Sequence, residues 1–238
     1  MRRRLVAVLG VSACLGLVPA SLGISPAARA GDKPQEIKGW GAATDPDGDC
    51  KFEEKEGKLT IKVPGSIHDL YPGQKDEKKR FNAPRALREI EGDFVAYVKV
   101  TADWKPGGKN PEANTFPYNG AGLLVWGPDG EFLRWERNVW LAGGAAVGYT
   151  TPLYYRDGRA ANMPKSSREE FYKDRSTWLR VEREGGKVTT SVSHDGKAWT
   201  KTGELETEFP KKVYLGVHAV NSSDAEFVVE FEEFQVKN

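Results

Sequence analysis

Residues 132–140, FLRWERNVW, concentrate the residue types that recognise a hydroxyl-rich ligand. Read as a strand, the segment puts Phe132, Arg134, Glu136, Asn138 and Trp140 on one face. Leu133, Trp135, Arg137 and Val139 then lie on the other, because successive side chains alternate. The first face joins a cation, a carboxylate and an amide to two aromatic rings. Sugars bind such surfaces: rings lie against C–H patches, and planar polar groups take paired hydroxyls. The alternative is a solvated outer face carrying an Arg134–Glu136 ion pair. Trp126 ends the preceding strand and reads either as a second stacking platform beside Trp140 or as a core tryptophan.

Other polar candidates lie elsewhere in the chain. His218 falls in a strand with Gly216 and Val220 and is followed by Asn221. His68 stands beside Asp69 and is expected at an edge of the same site. Asn82 and Arg85, in the segment NAPR, read either as ligand contacts or as caps of a buried turn. His194 belongs to the Ser193-His194-Asp195-Gly196 turn. Neither His68 nor His218 has a partner at metal-ligand spacing, so no metal centre is expected. Asp45, Asp47 and Asp49 resemble the start of a calcium loop, with Glu56 at its twelfth position. The sixth position is Cys50, where that loop needs glycine, so an Asx-type turn is the expected structure and calcium the alternative.

Hydrolytic chemistry is poorly supported. A retaining glycosidase needs two carboxylates about 5–5.5 Å apart, which alternate positions of one strand supply. The nearest approach is Glu230-Phe231-Glu232-Glu233 in the last strand, which reads as an outward charged face. A G-x-S-x-G nucleophile elbow is also missing from the sequence. The residues therefore favour a binding protein. An enzyme pairing Glu136 with His218 or His68, and a structural or protein-interaction module without a small-molecule site, remain alternatives.

The elements that must position these residues are strands. Period-two runs dominate and helical periodicity is nearly absent. Strands are expected at 58–63, 93–104, 121–126, 132–140, 178–183, 187–194, 198–200, 214–220 and 226–236. Residues 121–126, AGLLVW, are apolar throughout, which suits burial on both faces. Trp104, Trp178 and Trp199 read as core. Gly, Pro, Asp and Asn punctuate the runs, and no long helix separates them, so βαβ crossovers are excluded. The expectation is an all-β, two-sheet antiparallel sandwich of jelly-roll type. Two loops are long: residues 105–119, and residues 156–176, where Ser166 or Ser167 could cap a short helix at 167–173.

The chain has 238 residues, 35 Lys+Arg against 34 Asp+Glu, and 39% hydrophobic residues, which suits one folded domain. The N-terminus reads as an address. Arg2, Arg3 and Arg4 precede an interrupted apolar stretch, and Ala28-Arg29-Ala30 offers small residues for cleavage. Residues 1–30 are thus expected to be a signal peptide and 31–238 a single domain, periplasmic or extracellular. Val11-Ser12-Ala13-Cys14 also resembles a lipobox, so lipid anchoring through Cys14 is an alternative. Loss of residues 1–30 removes four Arg and no acid, taking the net charge from +1 to −3. Such a chain is not expected to bind nucleic acid, nor to keep an integral membrane segment. Cys50, then the lone cysteine, is expected to be buried.

The order of several segments carries a resemblance. VPGSIHDLYP, FNAPRALREIEGDF and NGAGLLVWGPDGEFLRWER are followed by WLRVEREGGKVTTSVSHDGKAWT, LGVHAVNSS and FEEFQV. Over roughly residues 38–236 this resembles a bacterial family of domains of unknown function in the concanavalin A-like lectin/glucanase superfamily, related to the fungal regulator-of-enolase proteins. The resemblance implies a two-sheet jelly roll and, more loosely, a carbohydrate or glycan-bearing partner. The E-x-D-x-x-E string of the superfamily's laminarinase-type members is not found in this sequence.

Overall fold

The computed structural model describes residues 35–71, 80–112, 115–142, 145–157, 159–162 and 174–238. The expected signal peptide with Cys14, and the expected short helix at 167–173, lie outside them. Among the described residues every regular element is a strand. In chain order these are β1 (Glu36–Ile37), β2 (Gly41–Thr44), β3 (Lys51–Lys55), β4 (Lys58–Val63), β5 (Ile67–His68) and β6 (Leu70–Tyr71). There follow β7 (Arg80–Phe81), β8 (Arg85–Glu91), β9 (Phe94–Ala102), β10 (Tyr118–Trp126), β11 (Phe132–Ala142) and β12 (Ala145–Arg156). The last six are β13 (Arg159–Asn162), β14 (Ser176–Glu184), β15 (Lys187–Ser193), β16 (Thr200–Glu206), β17 (Lys212–Ser222) and β18 (Phe227–Lys237).

They form two large antiparallel sheets, as the alternation requires. One is nine-stranded, in the order β1-β2-β8-β17-β10-β11-β12-β13, with β5 also on β17. The other is seven-stranded, in the order β16-β15-β14-β9-β18-β4-β3. Alternate residues of both sheets fill the space between them. Leu123, Val125, Leu133, Trp135, Leu215 and Val217 meet Ile61, Val98, Val100, Leu179, Val181 and Phe231, all buried. This is the core of a sandwich, the non-directional burial of apolar area that supplies most of the stabilisation.

The centre of the nine-stranded sheet is buried on its other face too. There Leu87, Leu124, Trp126, Phe132, Leu153 and Tyr155 make a second apolar cluster with Leu70 and Ala83. The cover is the chain around the β6–β7 hairpin. Its Phe81 ring lies 6.4 Å from Trp126, 6.1 Å from Phe132 and 5.9 Å from Tyr155. β10 is thereby enclosed on both sides, which is why its sequence lacks alternation.

Of the other expected core residues, Trp178 is buried but outside the inter-sheet core, and Trp199 is half-buried. Trp178 and Trp199 flank Tyr97 at 6.2 and 6.1 Å on the outer side of the seven-stranded sheet. Leu179 and Val181 hold the inward positions of β14, so alternation turns Trp178 outward. Trp104 is buried in the core, as expected.

Candidate functional site

The hairpin β10–β11 sets the site's register. Trp126 pairs with Phe132, Leu124 with Arg134, Gly122 with Glu136, Gly120 with Asn138 and Tyr118 with Trp140. On the other side of β10, Gly122 pairs with His218 of β17, which pairs with Arg85 of β8. Arg85, His218, Gly122 and Glu136 thus form one transverse row across four strands. The face that carries them points away from the sandwich core and under the covering segment. The alternative of a solvated ion pair is overturned, because Arg134 is 7% exposed and Glu136 0%.

Tyr118, Glu136, Arg134, Asp69 and His218 come together here. The Tyr118 hydroxyl donates to Glu136 Oε1. Arg134 Nη1 donates to Asp69 Oδ1 at 3.1 Å, and its Nε lies 3.6 Å from Glu136 Oε1. His218 Nε2 stands 3.7 Å from Glu136 Oε2. Gly120 makes room for the carboxylate, since a Cβ there would fall 2.7 Å from Glu136 Oε2. Among the described residues, Glu136 Oε2, Arg134 Nε and both ring nitrogens of His218 are buried without a hydrogen-bond partner.

Burial governs the protonation of the cluster. It pushes the Glu136 and Asp69 carboxyls upward, and the Arg134 charge draws both partly back. It also raises the Tyr118 phenol well above its ordinary value, reinforced by the Glu136 charge. Burial drives His218 the other way, well below its ordinary value, helped by the charges of Arg134 and Arg85. Arg134 stays firmly charged: burial opposes it, but Glu136, Tyr118 and Asp69 outweigh that. The arrangement therefore offers a neutral imidazole, a carboxyl with a raised pKa and a fixed guanidinium. Those groups can donate and accept hydrogen bonds with a polyol, and a carboxyl–imidazole pair can also move a proton.

The other expected site residues divide. Of the two roles expected for Trp126, the structure places it in the core: Phe132 stacks on it at 5.3 Å, and the Arg85 guanidinium lies over it at 4.8 Å. Arg85 Nη1 also donates to Ala83 O and Phe81 O, and burial lowers its pKa to about 10. Asn82 pins a turn, one of its two expected roles. Its Oδ1 accepts from Asp69 N, and its Nδ2 donates to Ile67 O and Asp47 Oδ2. Trp140 is half-buried at the Tyr118 end of the row.

His68 belongs to a different group. It is 1% exposed, its Nε2 is 2.8 Å from Asp49 Oδ1, and its Nδ1 is 3.3 Å from Ser66 Oγ. Asp45 Oδ2 accepts from Cys50 N at 2.8 Å, five residues on, a wider closure than the i to i+2 bond of an Asx turn. Cys50, expected buried, is half-buried.

Sequence reasoning missed Tyr118 as a site residue and left Asp69 as a mere neighbour of His68. The tight turn at residues 127–130 contained the signal for Tyr118. Once Trp126 faces Phe132, the antiparallel register sets Tyr118 opposite Trp140. Nothing local marks Asp69, which reaches Arg134 only through the path of the covering chain.

Comparisons with known proteins give the fold a context. No curated protein matches the chain. A functionally unknown protein from Saccharomyces cerevisiae shares the fold with a TM-score of 0.64 and 20% identity, over 79% of this chain and 91% of that one. The GH43 BlXynB protein from Bacillus licheniformis matches with a TM-score of 0.54 and 14% identity, over 81% of this chain and 35% of that one. The alginate lyase from Klebsiella pneumoniae matches with a TM-score of 0.50 and 8% identity, over 79% and 84%. A family model matches residues 47–238, nearly all of the described sandwich, so the chain belongs to the DUF1349 family of proteins of unknown function.

Proposed function

We propose that the covered face of the nine-stranded sheet is a carbohydrate-recognition site in an exported, non-catalytic protein. One observation carries the reading. Side chains from two strands of one sheet present four buried polar atoms without hydrogen-bond partners among the described residues: Glu136 Oε2, Arg134 Nε and the two His218 ring nitrogens. Leaving such atoms unmatched costs about 1–3 kcal/mol each, and hydroxyls of a sugar would match them. Half-buried Trp140 supplies the aromatic surface at the end of the row. An alginate lyase and a GH43 protein with the same sandwich support the reading only as company in the fold. Because Glu136 and His218 are covered, binding is coupled to displacement of the cover. Association is then expected below the roughly 10⁵–10⁷ M⁻¹s⁻¹ of preformed surfaces.

Export through residues 1–30, with lipid attachment at Cys14 as the variant form, belongs to the same proposal. So do a bacterial source and the kinship with fungal regulator-of-enolase proteins. A glycan-array screen of the purified protein, repeated with Trp140→Ala and Glu136→Gln, tests the reading. Selective binding that each substitution weakens at least tenfold, at unchanged melting temperature, is the expected result. Absence of binding, or binding indifferent to both changes, overturns it in favour of a protein-interaction module.

The 3.7 Å approach of His218 to Glu136 favours a second reading, a glycoside hydrolase or lyase using that pair as acid and base. Release of reducing ends or of unsaturated sugar from polysaccharides, lost in His218→Asn, would establish it. Binding without turnover would discard it.

A further inference from the structure

A second cluster lies at the edge of the sandwich, apart from the glycan site. The loop from β2 to β3 carries the chain from one sheet to the other and contains Asp45, Asp47, Asp49 and Cys50. Against it packs His68 of β5, which joins the nine-stranded sheet through Asn221 and Ser222. Asp49, Cys50 and His68 each offer one donor atom, and all three atoms lie within 4.8 Å of one another. Asp47 Oδ2 lies 3.6 Å from the same His68 nitrogen, and Cys50 Sγ lies 3.7 Å from Asp49 Oδ1.

We propose that Asp49, Cys50 and His68, with Asp47 as the fourth donor, bind one divalent transition-metal ion of the zinc class, which clamps the inter-sheet loop to β5. Three features support this. The His68–Asp47 and Cys50–Asp49 spacings, 3.6 and 3.7 Å, suit the geometry: metal bonds of about 2.0–2.3 Å at tetrahedral angles set ligand atoms roughly 3.3–3.7 Å apart. The His68–Asp49 contact, 2.8 Å, is shorter and is a hydrogen bond that an inserted ion would replace, and the Cys50–His68 span lies within 4.8 Å.

The ring and one carboxylate are already aimed. Ser66 Oγ meets His68 Nδ1 at 3.3 Å, leaving Nε2 to face the cluster, and Asn82 Nδ2 holds Asp47 Oδ2 at 2.6 Å. Second-layer contacts of this kind fix ligands in metal sites. The donor set also selects the ion. Imidazole and thiolate favour zinc or cobalt, whereas calcium takes six to eight oxygens, more than this cluster presents. On binding, the Cys50 thiol gives its proton to solvent and the sulfur's electron pair to the metal. His68 is nearly inaccessible to solvent, so an ion would enter from the exposed Asp47–Asp49 side.

Cobalt(II) titration of the metal-stripped full chain tests the site. Cys14→Ser is carried throughout, so that Cys50 is the single thiol present. One equivalent should bind, with a thiolate-to-cobalt charge-transfer band and the strong visible bands of four-coordination, and zinc should displace it. Cys50→Ser should abolish the charge-transfer band while the metal-free variant keeps its circular dichroism. Ser66→Ala, which touches no metal, should weaken binding about 10–100-fold. A titration without the band, a band that survives Cys50→Ser, or displacement by an equal concentration of calcium would each overturn the proposal.

Discussion

His218 is the residue whose surroundings make the sharpest demand. Its ring is fully buried, and neither nitrogen has a hydrogen-bond partner among the described residues. Burial, then the charges of Arg134 and Arg85, hold its pKa far below the ordinary value. The unfolded chain therefore takes up a proton near pH 6.5 that the folded chain refuses, so stability falls as pH drops below about 6.5. Glu136 and Asp69 act in the opposite sense. Their raised folded values make the folded state retain protons, so their contribution declines as pH rises above about 4. Comparison of the wild type with His218→Asn isolates the imidazole. At pH 5 its nitrogen chemical shifts should be those of a neutral ring, and the variant should lose part of the acid slope in melting temperature. A ring that charges near pH 6.5 would refute this account. Arg134 and Glu136 were legible as candidates because alternation alone fixes the face they share, whereas His218 was a candidate by residue type and comes beside them only through the pairing of β17 with β10. Trp126 stayed open between platform and core because alternation names a face without saying what covers it.

At the scale of elements, the long hairpins were readable and the short strands were not. β9 with its clean alternation, β10 and β11 joined at residues 127–130, and β14 and β15 joined at Gly185 and Gly186 show apolar runs ended by turn residues. β1, β5, β6 and β7 have two residues each, too few for any period. β8 escaped because its Arg85-Ala86-Leu87 start is buried on both faces, so no alternation shows. β12 contains Pro152, which argues against a strand in sequence. The close meeting of β8 with β17 rests on Gly216, where a Cβ would lie 2.0 Å from the Ala86 carbonyl oxygen. The obstacle is backbone within a paired ladder, so it cannot rotate away. Gly216→Ala should cost about 3 kcal/mol, the upper part of the range for overpacking, and lower the urea midpoint. Gly108→Ala, in open space, should leave it unchanged.

At the scale of the whole molecule, the two sheets are joined through the apolar core and also by a buried charge. Arg137 shares the inward face of β11 with Leu133 and Trp135 and is 2% exposed. Its Nη1 donates to Thr177 Oγ1 of the opposite sheet at 2.7 Å, and its guanidinium lies 4.6 Å from the Trp104 ring centroid. Trp104 in turn donates from Nε1 to Arg175 O at 2.8 Å. This polar tie closes one region of the interface between the sheets. Desolvating a guanidinium costs several kcal/mol, which its contacts, this hydrogen bond and ring contact among them, offset. An apolar side chain of similar length should therefore serve the fold nearly as well. Arg137→Met is expected to melt within about 1 kcal/mol of the wild type, or above it. Arg137→Ala, which empties the space and leaves Thr177 and Trp104 facing it, should lose about 3 kcal/mol or more. Thermal unfolding followed by circular dichroism measures both. Equal losses in the two variants would mean that the charge itself, rather than the volume it fills, holds the sheets together. Neither change touches the covered face that carries Glu136 and His218, so ligand binding there should survive both wherever the protein stays folded.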